Sequence, residues 1–334
     1  MGYLNQPLEN SKLRFKNRLV MPPMATAKAE ADGRINQEIL NYYDEKTKGG
    51  YISLVIVEHS YVSVEGKAHN RQVSVAEDNL IDSLQKLSDT IHNNGSRTVM
   101  QINHAGSAAS QEVTGMDPVG PSAVVNPSKE NAVVPKALTN PEIKSIVNSF
   151  KEAAQRVQKA GFDGVEIHSA HGYLLNQFLS PLTNKRTDEY GGDIRGRIRI
   201  HLEIIQAIRE VLGDFPILLR MGATDYMEGG LTVEESKEAA CAFEKAGVDV
   251  LDISGGMCRY TLPGVQEPGY FSPFSKAIKE VVAIPVIVTG GITQADEAEA
   301  ILRDQKADLV GVGRAIYKDS GWAQNAIIRV LKAH

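Results

Sequence analysis

The sequence predicts an α/β protein built as a (β/α)8 TIM barrel, with long loops after strands 3 and 6. Three observations carry that prediction. Eight short apolar runs alternate with longer helical patterns along the whole chain. The runs are continuously apolar instead of alternating, so both strand faces are buried, as in a parallel sheet. No Gly-x-Gly-x-x-Gly follows the first strand, where an open doubly wound dinucleotide fold, the architectural alternative, wants it. Eight strand–helix units then close into a barrel.

Strands are read at 18–21, 52–58, 97–102, 164–168, 217–221, 248–253, 286–289 and 309–312. Each is followed by a helical pattern, clearest at 78–93, 141–160, 197–212, 233–246, 294–303 and 321–332. Asn140-Pro141 with Glu142, Thr232 with Glu235, and Thr293 before an acidic turn are helix starts. Lys159-Ala160-Gly161 and Lys245-Ala246-Gly247 are helix ends, a cation followed by a C-cap glycine. Residues 104–139, rich in Gly, Pro, Ser and Asn, and residues 255–274, with four aromatics and three prolines, exceed simple connections. Loops of that length are lids, binding loops or disordered. No linker or repeat interrupts the rhythm, so residues 1–334 read as a single domain.

With 42% hydrophobic and 23% charged residues, the composition is that of a soluble globular protein. A net charge of -5 offers no general attraction to phosphate backbones or anionic membranes, which argues against a nucleic-acid partner. Cys241 and Cys258 are too few and too isolated for a disulfide framework, a zinc site or an iron–sulfur cluster, so no metal site is expected. The stretch Met1–Pro7 lacks the basic and apolar regions of a signal peptide, and no apolar run approaches the roughly 18 residues of a membrane helix. The expected location is the cytoplasm.

The densest chemistry lies in His168-Ser169-Ala170-His171-Gly172-Tyr173. Three proton-carrying groups at a strand C-terminus fall where α/β barrels keep their active sites. A strand cap whose histidines are merely hydrogen-bonded is the structural alternative. The last two strands end in Thr289-Gly290-Gly291-Ile292 and Gly311-Val312-Gly313-Arg314-Ala315. Glycines let backbone N–H groups approach an anion, and an arginine adds a forked cation, at the place where such barrels hold phosphate. The alternative there is tight turns and an arginine paired with Asp or Glu. Ser254-Gly255-Gly256 after strand 6 widens the same cradle, with Gly255 as its contact residue. Arg220, in an otherwise apolar strand, needs an anionic partner, either a ligand or a carboxylate such as Glu166. Gln101 offers an amide with donor and acceptor, and Pro22-Pro23 form a rigid wall. Together these groups suit a planar, phosphate-bearing heterocycle, FMN.

The chain resembles the Old Yellow Enzyme family of FMN-dependent NAD(P)H:flavin oxidoreductases and ene-reductases. The resemblance rests on Phe15 through Met24, Gln101-Ile102-Asn103-His104-Ala105-Gly106, Gly120-Pro121-Ser122, the stretch from Gly161 to Gly192, Thr289-Gly290-Gly291 and Gly313-Arg314. It implies FMN contacts at Pro23, Met24, Ala25, Gln101, His168, Arg220, Gly290, Gly291, Gly313 and Arg314. A backbone contact falls at Glu58-His59, which assigns His59. The resemblance further implies that His168 and His171 hold the substrate carbonyl and that Tyr173 donates a proton. The hydride comes from NADH or NADPH and goes to the activated C=C bond of a small-molecule acceptor. Family members are often dimers or higher, and the helix at 321–332 is a candidate homo-oligomer contact.

Three positions depart from the family pattern. Ala25 stands where relatives often carry Cys or Thr near the flavin, Ala27 where some have a Tyr, and Ser107 where arginine is common. Thr26 is expected to point away from the site. A shifted flavin potential, and a pocket either roomier or filled by a loop such as 255–274, are the expected consequences. Multidomain relatives add an iron–sulfur segment and a dinucleotide domain; the sequence to His334 has neither, so electrons are expected from NAD(P)H at the FMN face or from a separate reductase. The competing readings are a phosphate-sugar isomerase or aldolase, which wants a strand lysine or a carboxylate pair, and a flavin-binding subunit without turnover. Glu166 and Asp252 are available to the former, but none of the eight strands contains a lysine.

Overall fold

The computed structural model describes residues 2–9 and 12–332; Met1 and His334, which bound the sequence reading, lie outside them. The barrel strands are β1 (Leu19–Met21), β2 (Leu54–Tyr61), β3 (Arg97–Asn103), β4 (Gly164–Ser169), β5 (Ile217–Gly222), β6 (Val250–Ser254), β7 (Val286–Thr289) and β8 (Leu309–Gly311). They close in sequential order, all parallel, with β8 paired to β1. The principal helices are α1 (Gln37–Thr47), α2 (Ile81–Asn93), α3 (Asn140–Lys159), α4 (Arg199–Leu212), α5 (Val233–Ala246), α6 (Ser272–Lys279), α7 (Ala295–Arg303) and α8 (Trp322–Lys332). This is the (β/α)8 barrel that the alternation predicts.

Local chemistry sets the ends. Thr139 with Glu142 and Thr232 with Glu235 form reciprocal capping boxes on α3 and α5. On α7 the box belongs to Gln294, one residue past the expected Thr293, whose N–H instead donates to the Glu297 carboxylate at 2.7 Å.

Inward side chains make a layered column with the period of two that strands impose. The lowest layer is apolar: Val20, Leu54, Ile56, Val99, Leu218, Val250, Ile287 and Leu309, packed with Leu13 and Phe15 from the N-terminal hairpin. Two residues further along the strands the column turns polar, with Gln101, Glu166, Arg220 and Asp252 all buried. His168, Ser254 and Thr289 stand above them. The outward Val165, Ile167, Leu219, Met221, Leu251 and Ile253 pack in the cluster that includes the helices. Burial is thus continuous along each strand, while the interior polarity rises toward the C-terminal mouth.

Two differences from the sequence reading matter. Strand β2 runs three residues past its expected end because its register with β3 shifts between Val57 and Ser60, a bulge holding Glu58 and His59. The bulge is pinned from both sides: the Glu58 N–H donates to Tyr43 Oη at 3.1 Å, and Thr26 donates to the Glu58 carboxylate from its N–H (2.9 Å) and Oγ1 (2.7 Å). Thr26 therefore points away from the mouth, as expected. Segment 104–139 is ordered as a short helix, Gln111–Thr114, and a two-strand pair of Val119–Gly120 with Lys136–Ala137. Arg186 ties it down through the carbonyls of Pro121 (2.9 Å) and Leu138 (2.5 Å). Among the described residues no helix is long and apolar enough to cross a membrane.

Candidate active site

A cavity of about 430 Å³ opens at the C-terminal mouth. Of the residues singled out by sequence, Pro23, Met24, Ala25, His59, Gln101, His168, His171, Tyr173, Arg220, Gly290, Gly291, Gly313 and Arg314 line it. Gly255 does not. Its carbonyl accepts the His171 N–H at 3.1 Å, and a Cβ there would lie 2.0 Å from the Arg259 carbonyl, so it is a turn glycine behind the wall. Ser254 lines the cavity in its place. Ala27, Ser107 and the rest of segment 104–139 form no part of the wall.

The turn after β4 explains how one short stretch delivers three groups. His171 (φ 62°) and Gly172 (φ 74°) are both left-handed, which folds the chain back on itself. The turn is braced from behind by the Gly172 N–H to Asn176 Oδ1 (2.7 Å), and by Gln177 Nε2 (2.7 Å) and Asn126 Nδ2 (2.9 Å) to the Gly172 carbonyl. The His168 ring then lies 5.2 Å from both the His171 and Tyr173 rings, centroid to centroid. His171 Nε2 is 2.8 Å from Ser254 Oγ, joining the loops after β4 and β6.

The β2 bulge brings a third imidazole. The His59 ring lies 5.3 Å from Tyr173, tilted by 30°, so the phenol packs against two histidines. The tautomer of His59 follows from its neighbours. Gln72 Oε1 accepts from the Ala68 N–H at 2.7 Å, which leaves Gln72 Nε2 to donate to His59 Nδ1 (2.8 Å) and to the His59 carbonyl (3.1 Å). Nδ1 is thus an acceptor and the proton sits on Nε2. Burial, then the neighbouring His69, lowers the His59 pKa to about 3. Burial also pushes His168 and His171 well below the ordinary range, helped by His171 at His168 and by Arg220 at His171. All three imidazoles are neutral at pH 7. Burial raises Tyr173, which stays a phenol.

Below these rings lies the polar layer. Gln101 Nε2 donates to Glu166 Oε2 at 2.7 Å, because the two residues are register partners. The register also decides the partner of Arg220: it faces Asp252, with Nε 3.3 Å from Oδ2, whereas Glu166 sits opposite Leu218. Of the two buried carboxylates it is therefore Asp252 that pairs with Arg220, and Glu166, the example the sequence offered, that accepts from Gln101. Burial raises Asp252 to about 6 and Glu166 well above its ordinary value, and Asp252 raises Glu166 further.

The opposite end is a cradle of close backbone turns. A Cβ on Gly290 would fall 2.8 Å from Tyr270 Cε2, and one on Gly291 2.7 Å from Tyr270 Cε1. Tyr270 is fixed by donating Oη to the Tyr260 carbonyl at 2.6 Å and accepting from Arg314 Nη2 at 3.1 Å. Arg259, Tyr260 and Tyr270, all from loop 255–274, line the cavity and were not singled out individually by sequence. The signal available was the density of aromatics in that loop.

Glycine turns and an arginine after β7 and β8, with neutral imidazoles and a buried arginine after β4 and β5, make a cavity whose donors suit a planar ligand carrying an anionic group. Comparison with known proteins agrees. Residues 3–329 match the NADH:flavin oxidoreductase / NADH oxidase family, and the chain belongs to it. It is 41% identical over 322 residues to an NADH oxidase of Thermoanaerobacter brockii, covering 94% of this chain and 49% of that protein. Its fold resembles a solved 2-naphthoyl-CoA reductase (TM-score 0.92, 27% identity, 98% of this chain and 52% of that one). It also resembles an Old Yellow Enzyme homologue from Zymomonas mobilis (TM-score 0.85, 25% identity, 98% and 92%). The chain spans about half the length of the curated relatives it matches. Family membership sets the isomerase and aldolase alternative aside.

The cofactor of this family is FMN, and the residues present fit it. Thr289 Oγ1 and His168 Nδ1 are buried, belong to residues of the lining, and have no hydrogen-bond partner among the described residues. Buried polar atoms left unpaired around a cavity are satisfied by a polar ligand.

Proposed function

We propose that the chain is one FMN-binding barrel unit that takes hydride from NADH or NADPH and reduces activated C=C bonds of α,β-unsaturated carbonyls or related acceptors. The observation that carries this reading is two neutral imidazoles, His168 and His171, beside the buried phenol of Tyr173, in a cavity whose far end is a glycine–arginine turn. FMN, when bound there, would supply the two-electron hydride chemistry that links the nicotinamide to the acceptor.

The protein's own groups do the rest. Gly290, Gly291, Gly313 and Arg314 hold the phosphate through backbone N–H groups and a forked cation. Arg220 and Gln101 serve the ring, walled by Pro23, Met24, Ala25 and His59. His168 and His171 donate hydrogen bonds to the acceptor's carbonyl oxygen, where negative charge develops as hydride adds. Preorganised donors of this kind contribute factors of roughly 10²–10³ each. Their depressed pKa values keep them neutral, so neither carries a buried charge that competes for the cofactor. Tyr173 holds its proton until the α-carbon takes it, general-acid help of roughly 10²–10⁴.

The test is anaerobic. Protein loaded with FMN is reduced by NADH and mixed with 2-cyclohexenone; the expected result is reoxidation with formation of cyclohexanone. Reduced protein that reacts with dioxygen but is inert to enones would leave only flavin binding and oxidase chemistry.

A further inference from the structure

The polar layer beneath the cavity holds two acids and one cation. Glu166, Arg220 and Asp252 are all buried, whereas Arg259 and Arg314, the other arginines of the lining, are exposed. Register gives the two acids different partners. Glu166 faces Gln101 and accepts from its Nε2 at 2.7 Å. Asp252 faces Arg220, but the approach of Nε to Oδ2 at 3.3 Å is an ion pair without a hydrogen bond. Neither Asp252 oxygen has a hydrogen-bond partner among the described residues. Its negative charge is therefore held by the charge of Arg220.

The rest of its surroundings offers no second cation. Asp252 is paired in register with Ile287 on β7, and Leu218 and Val250 lie in the apolar layer below. Above it stand Ser254, Thr289 and the His168 imidazole, which burial keeps neutral. Glu166, the other acid, is pushed well up by burial and then by Asp252, so it keeps its proton. Asp252, at about 6, is ionised at neutral pH. One anion and one cation leave the layer neutral. Hydride uptake in the cavity upsets that balance, because a neutral ring that accepts H⁻ becomes an anion. Arg220 lines the cavity and is the buried cation on its wall. One guanidinium cannot neutralise both the ring and Asp252. A buried carboxylate without a counter-charge does not persist; it binds a proton instead.

We propose that Asp252 is the proton acceptor of the first half-reaction: Arg220 exchanges Asp252 for the reduced ring, and Asp252 takes up one proton from solvent. The inference rests on the FMN reading above. Asp252 acts through Arg220 and is a positioning residue. The balance is NADH plus FMN plus one solvent proton giving NAD⁺ plus the reduced ring, with the proton on the Asp252 carboxylate. When the hydride passes to the acceptor, Arg220 returns to Asp252 and that proton goes back to solvent. The proton that enters the product is a separate one, carried by Tyr173.

The test counts protons. Holoenzyme in weakly buffered solution at about pH 7.5, above the ordinary carboxyl range, is reduced anaerobically by one equivalent of NADH beside a pH-indicator dye. The native protein should take up close to one proton per flavin, D252N close to none, and E166Q as much as the native protein. Equivalently, the equilibrium constant for reduction falls about tenfold more per pH unit in the native protein than in D252N, about 30 mV for a two-electron couple. An infrared difference spectrum of the native protein, reduced minus oxidised, needs no variant and should gain one carboxylic-acid carbonyl band. Equal uptake in native protein and D252N places the proton on the ring and overturns the assignment. So does a spectrum without the new band, or an uptake lost in E166Q instead. Each of these leaves the FMN reading in place. Protein that retains no FMN, or whose FMN is not reduced by NADH, removes both.

Discussion

Replacing Arg220 by Met is expected to destabilise the barrel by an amount that depends on pH. Asp252 is buried without a hydrogen-bond partner among the described residues, and its folded pKa is about 6 against an ordinary 3.8. A carboxyl raised in this way contributes stability that is fully present below its unfolded value and is lost as pH rises through the folded value. At about 1.4 kcal/mol per unit, the native protein loses about 3 kcal/mol between the two values and then no more, because Asp252 is ionised in both states. Arg220 is what stops the rise, since its charge opposes the effect of burial on Asp252. Without it burial acts on Asp252 unopposed, the carboxyl titrates at higher pH, and the loss continues above pH 6. The difference between variant and native protein is then near zero at pH 5 and grows above pH 6 by up to about 1.4 kcal/mol per unit. Urea unfolding of the FMN-free proteins at pH 5 and pH 8 measures it, and the double variant R220M/D252N should recover the stability at pH 8. A penalty equal at both pH values would show that Arg220 stabilises by packing and not by holding the charge of Asp252.

Two further outcomes follow from the same geometry. Gly290→Ala places a methyl 2.8 Å from Tyr270, whose hydroxyl is held at both sides; overpacking of about 1–3 kcal/mol should weaken FMN binding about tenfold or more in a fluorescence titration, and an unchanged Kd would remove the turn from the cofactor site. His201, buried with Nε2 2.8 Å from Ser169 Oγ, is depressed to about 3, so its stability contribution is present above pH 6.5 and lost as pH falls toward 3. His201→Gln should therefore be less stable than the native protein at pH 7.5, with the gap narrowing by up to about 1.4 kcal/mol per unit below pH 6.5; a gap independent of pH would contradict the neutral buried imidazole.

How much of this was legible in the sequence depends on the kind of signal. The strands announced themselves because a barrel strand is buried on both faces, and helix caps such as Thr232 with Glu235 are local chemistry. The group His168, His171 and Tyr173, with Gly290, Gly291, Gly313 and Arg314, could be read because barrel strands place their C-termini at one rim. Pairings across the sheet could not. Asp252, and not Glu166, faces Arg220 because of a register that sequence order does not fix. The His59 tautomer depends on Gln72, thirteen positions away on a loop. Arg259 and Tyr260 sit on an aperiodic turn with no repeat to give them away, and a bulge, not a pattern, aims His59. Segment 104–139 had the length of a lid, yet it packs on the β4 excursion through Arg186.

The central claim, that His168, His171 and Tyr173 form a carbonyl-binding and proton-donating group beside a hydride source, is tested most directly by the two half-reactions of Tyr173→Phe. The change removes only a hydroxyl that makes no hydrogen bond among the described residues. Anaerobic stopped-flow should show flavin reduction by NADH close to the native rate, and reoxidation by 2-cyclohexenone slowed by about 10²–10⁴. Equal losses in both half-reactions, or native reoxidation, would contradict it.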